Sequence, residues 1–249
     1  MNPKPVFLDD IARFLHQQFL VDRYPASEAG GIFRPTKQPI QRLGLALEPW
    51  PGLETWATDN NLDAIWLHRP WQLDSGVAPH LGVLTNHLPF DETLSIGYNS
   101  VLARALGSTS QLEPLGFKQA VTDTGNTLPQ RAIGMLYDAE SYEFDGWLKQ
   151  ISQQFRGYDR AEAGRQTLIN RVAIVGAMTD KLIHEAAERG AQLYVTGQYR
   201  KPAQEAVNQT GLAVVAVGHQ RSEDWGLHAL ADILRTQWPA ISLEVRPVD

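Results

Sequence analysis

Two stretches of this 249-residue chain carry the residue types of a metal site: Leu84-Thr85-Asn86-His87-Leu88-Pro89-Phe90-Asp91 and Val217-Gly218-His219-Gln220-Arg221-Ser222-Glu223. In each, an apolar run typical of a buried strand ends at a histidine, and a carboxylate follows four residues later. Imidazole nitrogen and carboxylate oxygen are the donors that zinc, iron, manganese and nickel accept, and a strand end is a firm mount for them. One such pair in each half of the sequence suggests a metal site between two halves.

Seven histidines among 28 acidic residues should give roughly one His-x-x-x-acid pair by accident, and the sequence holds four. Two of them, His184/Glu188 and His228/Asp232, fall inside helical patterns, where this spacing simply makes surface neighbours. The other two follow the apolar runs 81–84 and 212–217 and are expected in loops, where functional groups collect. A third apolar run ends at His68, in Leu67-His68-Arg69-Pro70. Alone, His68 reads as a buried, hydrogen-bonded histidine; three histidines at strand ends together make it a candidate ligand. His16, on a helix surface, and His80, in a proline-containing loop, read as structural or solvated.

Competing chemistries find less support. Val175-Gly176-Ala177-Met178-Thr179-Asp180 joins a strand to a helix, so its amides could meet an anion. It lacks both the Walker glycine-lysine pair and the three-glycine dinucleotide pattern, and reads as a tight turn. The chain has no cysteine, which excludes disulfides, iron–sulfur clusters, thiolate zinc sites and a thiol nucleophile. No Gly-x-Ser-x-Gly elbow is present either.

Composition sets broader bounds. A content of 43% hydrophobic and 20% charged residues is that of an ordinary globular protein with ample length to bury a core. The net charge of −6 argues against broad nucleic-acid binding, which needs a basic surface to neutralise phosphates. The opening Met1-Asn2-Pro3-Lys4-Pro5 lacks the basic-then-apolar order of a signal peptide, and no stretch approaches the roughly 20 apolar residues of a membrane span. No membrane association and a cytoplasmic location are the expectation.

The elements that must position the histidines follow from periodicity. Leu8, Ile11, Phe14, Leu15 and Phe19 recur at helical spacing. Residues 22–38, with two prolines and paired glycines, predict a long loop. Strands are predicted over 43–47, 63–67 and 81–86, a weak helix over 53–60 and a helix over 95–106 closed by Gly107. Strand-like pieces lie between 112 and 136, and an amphipathic helix over 142–155. The second half alternates strand 172–175, helix 180–189, strand 192–196, helix 203–208, strand 212–217, helix 224–234 and strand 241–245. Such alternation predicts βαβ units around a largely parallel sheet, with ligands at the carboxyl ends of its strands.

The segment Asn86-His87-Leu88-Pro89-Phe90-Asp91, then Gly97-Tyr98-Asn99, Leu106-Gly107 and Leu112-Glu113-Pro114-Leu115, closely resembles the Nif-three-like dinuclear-metal-centre family, also called GTP cyclohydrolase 1 type 2 homologues. Tyr194-Val195-Thr196-Gly197 and Gly218-His219-Gln220-Arg221-Ser222-Glu223 are similar to that family too, so the resemblance runs from Leu43 onward. It implies one α/β Nif-three-like domain over residues 1–249. Two similar lobes, about 1–125 and 126–249, would each hold a sheet flanked by helices, with a metal cleft between them. It implies the metal ligands His68, Asp91, His219 and Glu223 and a ring-shaped homohexamer. His87, close in sequence to Asp91, is expected to act as a general base or as a hydrogen-bonding partner of a ligand.

In that family the early strand ends in a pair of histidines, and here Arg69 replaces the second. Guanidinium stays protonated and cannot ligate a metal, so Arg69 is expected to repel a second ion or to clamp an anionic substrate group. Gln198 likewise stands where the family usually has an acid. One divalent metal per subunit is therefore the expectation, zinc, iron, manganese or nickel. It would activate water toward a nucleotide or phosphoester. The alternative is a non-catalytic ring scaffold or regulatory protein with a degenerate site.

Overall fold

The computed structural model describes residues 4–246. By compactness the chain divides into two units, each assembled from separated segments. One comprises the chain up to Phe90, the stretch Ala120–Pro129 and everything from Leu227 on; the other comprises Asp91–Gln119 and Gln130–Gly226.

The first unit is built on five strands: β1 (Gly31–Arg34), β2 (Arg42–Ala46), β3 (Ala64–Leu67), β4 (Gly82–Thr85) and β11 (Ser242–Val245), in the order β1-β4-β3-β2-β11. β4, β3, β2 and β11 run parallel, and β1 closes one edge antiparallel to β4. All four residues of β3 are buried, as expected of a central parallel strand covered on both faces. Helix α1 (Leu8–Gln18) buries Leu8, Ile11 and Leu15, and the Asp10 carboxylate accepts the Phe7 N–H at 3.0 Å, capping the helix start. Helices α2 (Ala26–Ala29) and α3 (Leu53–Asp59) are short.

The second unit holds a mixed six-stranded sheet of β5 (Glu113–Lys118), β6 (Arg131–Glu143), β7 (Arg160–Glu162), β8 (Leu168–Val175), β9 (Leu193–Thr196) and β10 (Ala213–Ala216), in the order β5-β6-β8-β9-β10-β7. Its residues alternate between two cores. Met135, Tyr137, Val172, Ile174 and Val195 face α6 (Phe144–Phe155) through Trp147 and Ile151. Leu136, Ala173, Val175 and Tyr194 pack with Leu182 and Ile183 of α7 (Asp180–Glu188) and Ala206 of α8 (Gln204–Thr210). Side chains on successive strand residues point to opposite faces, which is why both halves of the pattern are apolar.

Several expectations change. The predicted loop over 22–38 contains α2 and β1: Gly30 and Gly31 take φ of +70° and +116°, reversing the chain, and Ile32 then pairs with Leu84. A Cβ on Gly30 would sit 2.2 Å from the Thr85 carbonyl oxygen, so only glycine allows that approach. The helix predicted over 95–106 shortens to α5 (Ser100–Ala105), because Gly97 packs against the Glu92 carbonyl and Asn99 caps the start through Val101 N–H and Leu102 N–H. The sheet of the second unit is mixed, since β6 returns antiparallel between β5 and β8, and β7 adds an antiparallel edge. The last predicted strand becomes β11 beside β2, at the opposite end of the sequence. No helix among the described residues is long and apolar enough to cross a membrane.

Candidate metal centre

His68 directly follows β3, and its neighbour β4 leads through Asn86 into helix α4 (His87–Leu94). The parallel pairing of Trp66 with Leu84 therefore sets the ends of the two strands side by side. His68 and His87 are brought together, their ring centroids 4.9 Å apart. Asp91 is placed by the helix it shares with His87, one turn further on the same face. One donor atom from each of His68, His87 and Asp91 lies within 4.8 Å of the others.

The surroundings hold this group firmly. His68 is fully buried, stacked near Trp66 at 6.0 Å and against Phe90 at 4.9 Å, with its main-chain oxygen accepting the Thr85 hydroxyl at 3.1 Å. Asn86, the residue between strand and helix, accepts from the Trp66 indole N–H at 3.4 Å and donates to the Ala29 carbonyl at 3.2 Å. Pro89 lies in the first turn of α4, where its missing N–H is harmless. Trp71, 64% exposed, meets His87 edge-on at 5.0 Å, and Glu28 Oε2 lies 3.7 Å from His87 Nδ1.

The donor set suits an ion. Two imidazoles and a carboxylate match the ligand sets of zinc and related metals, whose bonds of about 2.0–2.2 Å would hold ligand atoms roughly 3.3–3.6 Å apart. Donor atoms within 4.8 Å of one another lie about an ångström beyond that spacing.

Arg69 donates from Nε to Glu48 Oε1 at 2.7 Å and is largely buried. The second histidine–acid pair also begins a helix rather than lying in a loop: α9 (His219–Gln237) starts at His219 itself, after β10 and the two residues Val217 and Gly218. His219 Nε2 and Glu223 Oε1 are 3.0 Å apart, with Glu223 only 1% exposed and His219 at 61%. Ser222 donates to the His219 carbonyl at 2.7 Å, fixing this first turn. The two remaining pairs turn elsewhere: His184 Nδ1 lies 2.8 Å from the Asp180 carbonyl oxygen, and Arg235 donates to Asp232 at 2.8 Å.

The sequence profile of the family described as Duf34/NIF3 (NGG1p interacting factor 3) matches residues 7–249. The chain belongs to the Duf34/NIF3 family. Among its relatives is a protein of Pyrococcus abyssi named GTP cyclohydrolase 1 type 2 homolog, 23% identical over 247 residues that cover 92% of this chain and 94% of the relative. Among solved structures, a Bacillus cereus protein related to NIF3 superposes with a TM-score of 0.71 at 12% identity, covering 99% of this chain and 98% of its own. Staphylococcus aureus protein SA1388 does so with a TM-score of 0.72 at 14% identity, covering 99% and 98%. The resemblance read from the sequence is thus established at the level of family and α/β fold.

Within this NIF3 chain the sequence pointed to His68, His87 and Asp91 but gave His87 a different part from the other two. His87 offers a donor atom within 4.8 Å of those of His68 and Asp91. Glu28, Glu48 and Trp71 were not singled out, since an isolated acid or aromatic carries no spacing that marks it.

Proposed function

We propose that this NIF3-family protein is a divalent-metal-binding, hydrolase-like protein acting on a nucleotide or phosphoester. The carrying observation is the convergence of His68, His87 and Asp91. When bound there, zinc, iron, manganese or nickel would act as a Lewis acid and lower the pKa of a coordinated water. His68, buried on Trp66 and Phe90, would give the group a fixed nitrogen, and Asp91 a negative charge that favours a cation. His87, at the exposed side, would serve as a third donor or hold a proton for the leaving group. His219 and Glu223 are proposed as further ligands from the second half of the chain on the strength of the family pattern. Arg69, anchored by Glu48, would keep the stoichiometry at one ion per subunit and offer a positive charge to an anionic substrate. A homohexameric ring and a cytoplasmic location complete the proposal, both by likeness to the family pattern.

The test is elemental analysis of purified protein, followed by stripping with chelator and titration with zinc, manganese, nickel and ferrous ions. One ion per chain, lost in His68→Ala and accompanied by hydrolysis of a nucleotide or phosphodiester, is expected. No retained ion in either measurement would overturn the metal reading; an ion without turnover would favour the ring scaffold.

A further inference from the structure

The second unit contains a cavity of about 490 Å³ at the carboxyl ends of β8 and β9 and the start of α9, lined by Gly176, Thr179, Gly197, Gln198, Arg200 and His219 together with Ala177 and Met178. We propose that this cavity seats the phosphate group of a small anionic molecule. The inference deepens the metal reading by giving the substrate's charged end a place, and its binding step does not depend on the ion.

Position is the first argument. Ligands of open α/β sheets bind outside the carboxyl ends of parallel strands, and here β8, β9 and β10 are the parallel part of the sheet. Charge is the second. The lining residues include a permanent cation, an imidazole, an amide and a hydroxyl, and no carboxylate. A lining with a cation and no acid favours an anion over a cation. Among the described residues Arg200 makes no ion pair with a carboxylate, so its guanidinium is available for the forked hydrogen bonds that phosphate accepts.

Rigidity is the third argument. The Arg200 N–H points to Met178 Sδ at 3.2 Å, which ties the two cavity loops together. Its neighbour Tyr199 donates to Glu162 at 3.1 Å and lies under the Arg160 guanidinium at 3.8 Å. Gly218 N–H donates to the Gly197 carbonyl at 2.9 Å, so the loop after β9 continues in register with the approach to His219. Just before Gly197, Thr196 is 1% exposed and its hydroxyl has no hydrogen-bond partner among the described residues. Helix α7 begins at the cavity with Thr179 as its N-cap, adding the positive end of a nine-residue helix. A phosphate held here would sit next to the His219–Glu223 pair.

The experiment uses metal-stripped full-length protein and inorganic phosphate, then pyrophosphate, followed by amide chemical shifts and by calorimetry. Expected is saturable binding with shifts concentrated at 176–181 and 197–200. Arg200→Ala should weaken it at least about ten-fold, Arg200→Lys should retain part of it, and Gln198→Glu should weaken it by charge repulsion. Metal titration of Arg200→Ala, run separately, should match wild type. Absence of saturable binding, shifts elsewhere, equal affinity for acetate, or undiminished binding by Arg200→Ala would each overturn the proposal. Phosphate binding in a protein that holds no metal would support this inference while the metal reading fails; the reverse result would separate them the other way.

Discussion

The two histidine–acid pairs are the same device placed in different surroundings. Both follow a parallel strand and open a helix, His87 and Asp91 on α4 and His219 and Glu223 on α9. Around α4 the adjacent strand β3 delivers His68, and three donors come within 4.8 Å of one another. Around α9 the adjacent strand β9 ends in Thr196-Gly197-Gln198, with no imidazole, and His219 and Glu223 pair with each other at 3.0 Å. The strand registers make the correspondence close: Trp66 pairs with Leu84 and Thr196 with Ala216, which puts His68 across from the residue before His87 and Gln198 across from the residue before His219. One residue on the neighbouring strand decides whether a pair becomes a three-donor group. A motif of two ligands is thus a weak signal until the strand beside it is known.

The comparison can be broken most decisively at His68. His68→Ala should reduce metal affinity at least about 100-fold, or about 2.7 kcal/mol, measured by competition with a chromophoric chelator. His219→Ala should cost less than the His68 change. Equal losses would show that both pairs serve one ion and that the α4 group is not the dominant holder.

Arg69→His tests the next largest effect. Replacing a cation with an imidazole removes repulsion of about 1 to 4 kcal/mol per unit charge at 4 Å for effective dielectrics of 80 to 20, and releases Glu48 from its 2.7 Å contact. Metal content per chain is expected to rise toward two by elemental analysis; an unchanged count would remove Arg69 from the account of stoichiometry.

A smaller effect is expected on stability. His219→Ala takes a hydrogen-bonding partner from a carboxylate that is 1% exposed, at a cost of about 1–3 kcal/mol, seen as a lower denaturant midpoint with an unchanged slope. His87→Ala, whose acidic neighbour Glu28 lies at 3.7 Å and is 41% exposed, should shift the midpoint less. The reverse order would mean that the α4 group carries more of the fold than the α9 pair.

The subtlest test is constructive. Gln198→His places an imidazole where His68 stands in the first unit, at an exposed position. The variant should gain a weak zinc site near His219 and Glu223, detectable by calorimetry in a His68→Ala background. No gain would show that strand register alone does not make the two surroundings equivalent.

Much of the fold could be read from periodicity, because buried parallel strands write continuous apolar runs: β3, β4, β9 and β10 all lie within predicted strands. Helices α1, α6 and α7 were equally plain from their apolar spacing. The loop predicted over 22–38 was wrong because β1 is short, half exposed and opened by two glycines, so its pairing with β4 leaves no alternation to read. The loops predicted around His87 and His219 were wrong because each helix starts at the histidine itself, and the first turn has no preceding period to announce it.

The sequence by itself determined the donor types, their four-residue spacing, the exclusion of thiolate chemistry and the family pattern, since all of these are properties of residue identity and order. Only the tertiary structure decided which donors meet. His68 and His87 are nineteen positions apart in the numbering, and they come together because two parallel strands place their carboxyl ends side by side. Nor could local pattern show that the strand from the chain's far end, β11, would lie beside β2, or that Arg69 would be held by Glu48. Those contacts depend on how strands are ordered in a sheet, a choice made by burial of whole faces rather than by any short run of residues.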